Sequence, residues 1–200
     1  MRDIVTPYLP NNSGELEVSI DLINKNVPHR YIHVIDQTFH PISHVDQMLK
    51  LKWAIENLDL TDEFYLFNDD FFVVEPVDHI HYLHRGSLKT QSDKRPNGYY
   101  GKALKDTLKY LDADSLSYEL HLPFLFDKRK LIQLIYLIMP TIQMNHCPLI
   151  RSTYGNIYKV GGEQMDDVKN IDDFEGSTYL STTELSFARK PIGDYIRSKL

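Results

Sequence analysis

The stretch FYLFNDDFFVV, Phe64 to Val74, sets two apolar runs on either side of Asn68, Asp69 and Asp70. Phe64 to Phe67 is continuously apolar, as in a strand buried on both faces of a parallel sheet. Adjacent carboxylates repel each other, and a hard divalent cation relieves that repulsion. Magnesium or manganese takes few protein ligands and keeps places for phosphate oxygens. Such a site suits a nucleotide-diphosphate donor, whose leaving-group charge the ion stabilises. The plain alternative is a solvated turn and a cap. Asp69 and Asp70 are therefore the candidate metal ligands, with Asn68 beside them.

Upstream, strands and helices alternate. Asp3 to Pro7 is a short β-branched run. Asn12 followed by Glu15 resembles a capping box. Leu16, Ile20, Ile23 and Val27 then share one helical face, and Pro28 stops the helix. Tyr31 to Ile35 alternates and ends at Asp36, while Met48, Leu51, Ile55 and Leu58 mark a second helix. The order β-α-β-α-β predicts an α/β fold with an open, mostly parallel sheet flanked by helices. In such sheets ligands bind beyond the carboxyl ends of the strands, where Asp36 and the Asn-Asp-Asp set stand.

Downstream, residues 77–101 are polar, with Gly and Pro, and read as a loop or flap. Lys89, Lys94, Arg95, Tyr99 and Tyr100 in it are candidates for a lid over a donor, with a plain surface loop as the alternative. Tyr100, Leu104, Leu108 and Leu111 mark a helix. Asp127 can cap another, carrying Leu131, Leu134, Ile135 and Ile138. RSTYGNIYKVGG, 151–162, reads as turn-rich, and the tail as ending in a short helix.

At 200 residues the chain is read as one domain, 1–200, and 42% hydrophobic residues can bury a core. The net charge is −6 and the longest basic run is KRK at 128–130, which argues against a nucleic-acid partner. A lone Cys147 allows no internal disulfide. The N-terminus MRDIVTPYLP lacks an apolar signal region, and LIQLIYLIMP at 131–140 is too short for a membrane span. A soluble, cytoplasmic protein is the expectation. Thirteen tyrosines and nine phenylalanines are read first as core filling and second as ring-stacking walls.

Four further clusters carry candidate chemistry. His121, in SYELHLPFLFDK, lies between Leu120 and Leu122 and so points away from their side of a strand. Arg151 with Ser152 can grip a phosphate by a planar fork beside a glycine turn. Asp166-Asp167 reads as an exposed acidic loop. His79, His81 and His84 lack the partners that would complete a zinc site. No P-loop, GxGxxG or GxSxG motif is present.

Together, SGELEVSIDLINKNVPHRYIHVIDQTFHP, FYLFNDDFF, ELHLPFLFDK and RSTYGN resemble, in order and spacing over roughly 3–187, the conserved blocks of Stealth-type sugar-phosphate transferases. That resemblance implies a GT-A-like nucleotide-sugar fold. It also implies transfer of a hexose-1-phosphate from a nucleotide-sugar, such as a UDP-sugar, to a glycan hydroxyl with release of a nucleoside monophosphate. By the same resemblance Asp69 and Asp70 would serve metal and diphosphate, His121 would be the catalytic histidine, and Arg151 a phosphate clamp. The family's first motif is reduced here to DIVTPYL. Asp21 stands where the family places Arg, and STTE at 181–184 stands for an INDN-like motif, with Glu184 as a further ligand candidate. These departures leave room for a GT-A glycosyltransferase moving the sugar alone, to a glycan, a hydroxylated base or a small molecule. A non-catalytic nucleotide-sugar-binding module and a purely structural protein complete the alternatives.

Overall fold

The computed structural model describes residues 1–11, 13–142 and 148–200. Asn12, half of the expected cap, and Cys147 lie outside the described residues. The chain runs β1 (Arg2–Pro7), α1 (Glu15–Asn26), β2 (His29–Ile35), α2 (Ser43–Asn57), β3 (Glu63–Leu66) and β4 (Phe71–Val73). It continues through β5 (Leu83–His84), α3 (Leu88–Lys94), α4 (Gly98–Leu108), β6 (Phe124–Asp127) and α5 (Lys128–Ile138). After a 3-10 turn, Met139–Ile142, come α6 (Ile150–Ile157), β7 (Glu163–Gln164), β8 (Tyr179–Ser181), α7 (Glu184–Arg189) and α8 (Pro191–Arg197).

The central sheet has the order β2-β1-β3-β6. β1 is parallel to both β2 and β3, with Ile4 opposite Ile32 and Tyr65. β6 closes the sheet antiparallel, with Phe64 opposite Phe126. Successive side chains alternate between faces. Val5, Phe64, Leu66 and Phe126 pack against Val45, Met48 and Leu51 of α2 and Leu131, Leu134 and Ile135 of α5. Ile4, Tyr65 and Phe67 pack on the other side with Ile23 of α1 and with Phe71 and Val73. The sheet is thus mostly parallel and flanked by helices, as the alternating pattern predicts. Among the described residues no helix is long and apolar enough to cross a membrane.

The buried stripe of α1 differs from the expected one. It comprises Glu15, Ser19, Leu22, Ile23 and Asn26, while Leu16 and Ile20 are only partly buried. The reason lies in β4, which among the described residues pairs only with β8. Its backbone carbonyls facing α1 need donors. Ser19 Oγ donates to the Phe71 carbonyl at 2.7 Å, and Asn26 Nδ2 to the Val73 carbonyl at 2.8 Å. The helix begins after Gly14, whose φ of 77° no β-carbon favours, and Glu15 turns inward to accept from Thr182 Oγ1.

Two segments expected to be irregular are helical. Within 77–101 lies α3, capped by Ser87, whose side chain accepts from the Thr90 amide, and α4 starts at Gly98. Residues 150–157 form α6 rather than a turn. Gly155 is there for space: a β-carbon would sit 2.5 Å from the Tyr118 ring. The predicted cap at Asp127 is present, its side chain accepting from the Lys130 amide at 2.9 Å. The tail holds two short helices, the second entered through Pro191.

Candidate active site

β1 lies between β2 and β3, so the chain leaves the middle of the sheet in opposite directions. A crevice opens at that point, beyond the carboxyl ends of β1 and β3. Tyr8 and Leu9 follow β1 there, and Asn68 and Asp69 follow β3. With His40, Asp46, Gln47 and Lys50 they line a cleft of about 350 Å³. A second cleft of about 320 Å³ is walled by His44, Tyr99, Tyr100, Glu119 and Arg151. Ser43, Gln47 and Asn68 belong to both clefts. At this junction Gln47 Nε2 donates to Asn68 Oδ1 at 2.8 Å. Buried Lys50 holds the wall: its ammonium lies 2.9 Å from Asp46 and donates to the Tyr8 carbonyl at 2.6 Å. Asp46 Oδ1 in turn accepts the Phe39 and His40 amides.

Phe67 still donates to the Val5 carbonyl, which keeps the chain in register past the end of β3. The Asn68 carbonyl then accepts the Phe71 amide at 3.2 Å, and the turn between presents Asp69 and Asp70. Burial pushes the Asp69 carboxyl up to about 6, and the negative charge of Asp70 adds to the shift. Asp70 Oδ2 accepts from Lys169 Nζ at 2.6 Å, while its buried Oδ1 has no hydrogen-bond partner. Glu15 lies close enough to raise Asp69 further. Burial raises the Glu15 carboxyl as well, against the hydrogen bond it accepts from Thr182 Oγ1 at 2.5 Å. A reluctantly ionised carboxyl beside an unpaired carboxylate oxygen is a donor set that fits a hard divalent cation. Among the described residues no group of three His, Cys, Asp or Glu side chains converges. Other coordination places would therefore fall to ligand or water oxygens.

His121 occupies a bend before β6, not a strand. Leu120 and Leu122 on either side are buried with Val168. The imidazole points the other way, as the alternation of residues predicts. Its Nδ1 lies 2.8 Å from Asp167 Oδ2, and its backbone amide donates to Asp167 Oδ1 at 3.2 Å. Arg85 is also 3.2 Å from Asp167. Burial opposes ionisation of Asp167, but the hydrogen bond and charge of His121, with Arg85, hold its carboxyl down at about 2. Asp167 is thus no exposed loop acid, although its neighbour Asp166 is exposed.

Phe71, the residue after Asp70, links the acid turn to His121. Its ring meets the His121 ring edge-on at 6.2 Å between centroids, and the Arg151 guanidinium lies over it at 5.7 Å. Arg151 is buried. Its Nη1 donates to the Leu120 carbonyl at 2.6 Å and to the Leu122 carbonyl at 3.2 Å, and Nε lies 3.5 Å from Glu119. Glu119 Oε1 accepts the Ser152 amide at 3.0 Å and so caps the start of α6.

Asn68 therefore lies in both clefts, Asp69 in the first and Arg151 in the second, while Asp70 and His121 line neither and are connected through Phe71, which follows Asp70 and whose ring meets His121. The structure adds Glu15, Gln47, Glu119, Asp167 and Lys169, which the sequence reading did not single out as site residues. The NDD turn alone marked the place; the long-range partners left no local signal. Asp36 and Glu184 are exposed, outside both clefts. His79 and His81 pack against each other at 4.1 Å, and His84 Nδ1 accepts the Gly86 amide. Of the lid candidates, Tyr99 and Tyr100 wall the second cleft, and Arg95 lies over Tyr100. Lys89 pairs with Asp93 inside α3.

No family model matches the chain, and no curated protein matches it. Among solved structures, a glycosyltransferase involved in the glycosylation of the major capsid of PBCV-1 is similar at 11% identity. Its TM-score is 0.54, with 98% of each chain covered. The galactosyltransferase LgtC, solved with donor and acceptor sugar analogs, is similar at 12% identity and TM-score 0.47, over 80% of this chain and 72% of its own. The first likeness shows a glycosyltransferase fold. The resemblance to Stealth-type proteins rests on the quoted motifs.

Proposed function

We propose that the chain is a metal-dependent transferase that takes a nucleotide-sugar donor and passes hexose-1-phosphate to an acceptor hydroxyl, a glycan being the acceptor class. The observation that carries this reading is the pair of clefts that meet at Asn68, where the under-partnered acid turn begins, with a carboxylate-held histidine against the Phe71 ring that follows that turn. Asp69 and Asp70 would hold magnesium or manganese, which when bound neutralises the diphosphate and the leaving nucleotide. The cleft beside Tyr8, Asn68 and Asp69 takes the donor, and the cleft walled by Tyr99, Tyr100 and Glu119 takes the acceptor. With Nδ1 engaged by Asp167, His121 Nε2 receives the acceptor's proton. Lys169 keeps the acid turn from accumulating charge before the donor arrives.

A second reading, transfer of the sugar alone, is favoured by Arg151. Its Nη1 is committed to two backbone carbonyls, which leaves less of the guanidinium for a transferring phosphoryl group. The test is incubation with a panel of nucleotide-sugars and manganese or magnesium, beside Asp70→Ala, with the released nucleotide read by mass spectrometry. Monophosphate release, lost in the variant, is the expected result. Diphosphate release selects the second reading. Saturable nucleotide-sugar binding with no released nucleotide, in the presence of glycan acceptors, would reduce the chain to a binding module.

A further inference from the structure

We infer that Arg151 and Asp167 act through His121 as positioning residues that fix its backbone and its tautomer, and that Arg151 is not a donor-phosphate ligand. The inference rests on the proposed transferase reading for its catalytic consequence, and on geometry for its physical content.

The three-residue segment Leu120-His121-Leu122 is held on every side. Arg151 Nη1 donates to the carbonyl before His121 and to the carbonyl after it. Asp167 takes the His121 backbone amide on Oδ1 and faces the imidazole Nδ1 with both oxygens, Oδ2 at 2.8 Å and Oδ1 at 3.0 Å. Val168 packs with Leu120 and Leu122 behind the bend. The Phe71 ring edge limits the imidazole from the side of the acid turn. A guanidinium suits this task because it is planar, always charged and rigid in its fork. Glu119 lies 3.5 Å from Nε and the Phe71 ring faces the guanidinium, while Nε itself makes no hydrogen bond among the described residues.

The tautomer follows from the same contacts. Arg85 lies 3.2 Å from Asp167 Oδ2, and the His121 amide already donates to Oδ1. An ionised carboxylate only accepts, so Nδ1 must carry the proton and Nε2 is left as the base. An asparagine at 167 would turn a donor toward one of these donors, so it cannot serve them all. The segment also reaches the acid turn: two residues on, Lys169 pairs with Asp70. Asp167 and Lys169 therefore connect the histidine and the acids through one stretch of backbone, pinned where the Ser181 amide donates to the Val168 carbonyl.

The experiment reads nitrogen-15 imidazole spectra of the full chain, with His121 assigned by His121→Asn, in wild type, Asp167→Asn and Arg151→Lys. Affinity for the nucleotide-sugars of the panel is measured alongside, and kcat and KM where turnover is seen. Wild type is expected to show His121 protonated on Nδ1. Asp167→Asn should lose that signature and lower kcat about 10²-fold or more, with donor KM within about twofold. Arg151→Lys, which keeps the charge but not the fork, should perturb the His121 signal and lower kcat with donor affinity unchanged. An unchanged His121 spectrum in both folded variants overturns the inference. Weakened donor binding in Arg151→Lys with an undisturbed His121 returns Arg151 to the donor phosphates. Absence of turnover with every donor counts against the transferase reading, while the spectra still decide the positioning roles.

Discussion

The turn at Asp69-Asp70 leads into Phe71, whose ring meets the bend at His121, and the two are built in opposite ways. The acids are left wanting: one is pushed up to about 6 by burial, and the other has a buried oxygen with no hydrogen-bond partner. The histidine is oversupplied, with its ring, its amide and both flanking carbonyls engaged. The contrast separates two tasks. In the proposed reading, the group that would receive a charged ligand is kept incomplete until the ligand comes. The group that would move a proton is fixed in advance, because misplacement costs rate directly.

The strongest test of this contrast removes the histidine. His121→Ala should lower kcat about 10²–10⁴-fold while leaving the fold in place, measured as initial rate beside a thermal melt. Near-normal turnover in a folded variant removes His121 from the mechanism. Asp70→Asn comes next, with an expected loss of about 10²–10³-fold and weaker dependence on added manganese. If rate and metal dependence both survive, the acid turn is only a turn.

A third test uses acidity, because the two carboxyls shift in opposite directions. Asp167 sits below the ordinary value of 3.8, at about 2, so it adds stability that is fully present above about 3.8 and lost as pH falls toward 2. Asp69 sits above that value, at about 6, so it subtracts stability from about pH 4 upward, fully so beyond about 6. Asp167→Asn should therefore lower Tm by a few degrees at pH 7, the difference closing toward pH 2. Asp69→Asn should raise Tm by a few degrees at pH 7 and change nothing near pH 4. Shifts of the same sign at pH 7 would erase the contrast. The smallest effect belongs to the frame. Asn26→Ala strips the Val73 carbonyl of its donor and should cost about 1–3 kcal/mol in denaturant unfolding, with the His121 spectrum unchanged.

The first half of the fold was legible because local pattern carries it: a β-branched run for β1, alternation through β2, helical spacing through α2, and an unbroken apolar run into Asn68. Asp127 was legible as a cap because capping is a local chemistry. α3 was not, since LKTQSDK offers no apolar stripe and owes its place to Ser87 and to packing. α6 was hidden by a glycine that looked like a turn and is a point of close contact. The α1 stripe was misread because Ser19 and Asn26 are buried to serve the backbone of another element. At the site, Asp69, Asp70, His121 and Arg151 were visible as residue types. The role of Arg151 was not visible, since it depends on carbonyls about thirty residues away, and Asp167 looked like one of a solvated pair.

Gly155 lines neither cleft, but it bears on the whole arrangement. Tyr118 fills the space where its β-carbon would be, and that residue is held twice, its backbone amide donating to Ser152 Oγ and its hydroxyl to the Gly161 carbonyl. Tyr118 lies three residues before His121, and Gly155 one helical turn after Arg151. In a saturation mutagenesis screen scored on activity, position 155 should therefore behave like an active-site residue, intolerant even of alanine. A map drawn from such a screen would place the catalytic centre deeper in the protein than the chemistry reaches.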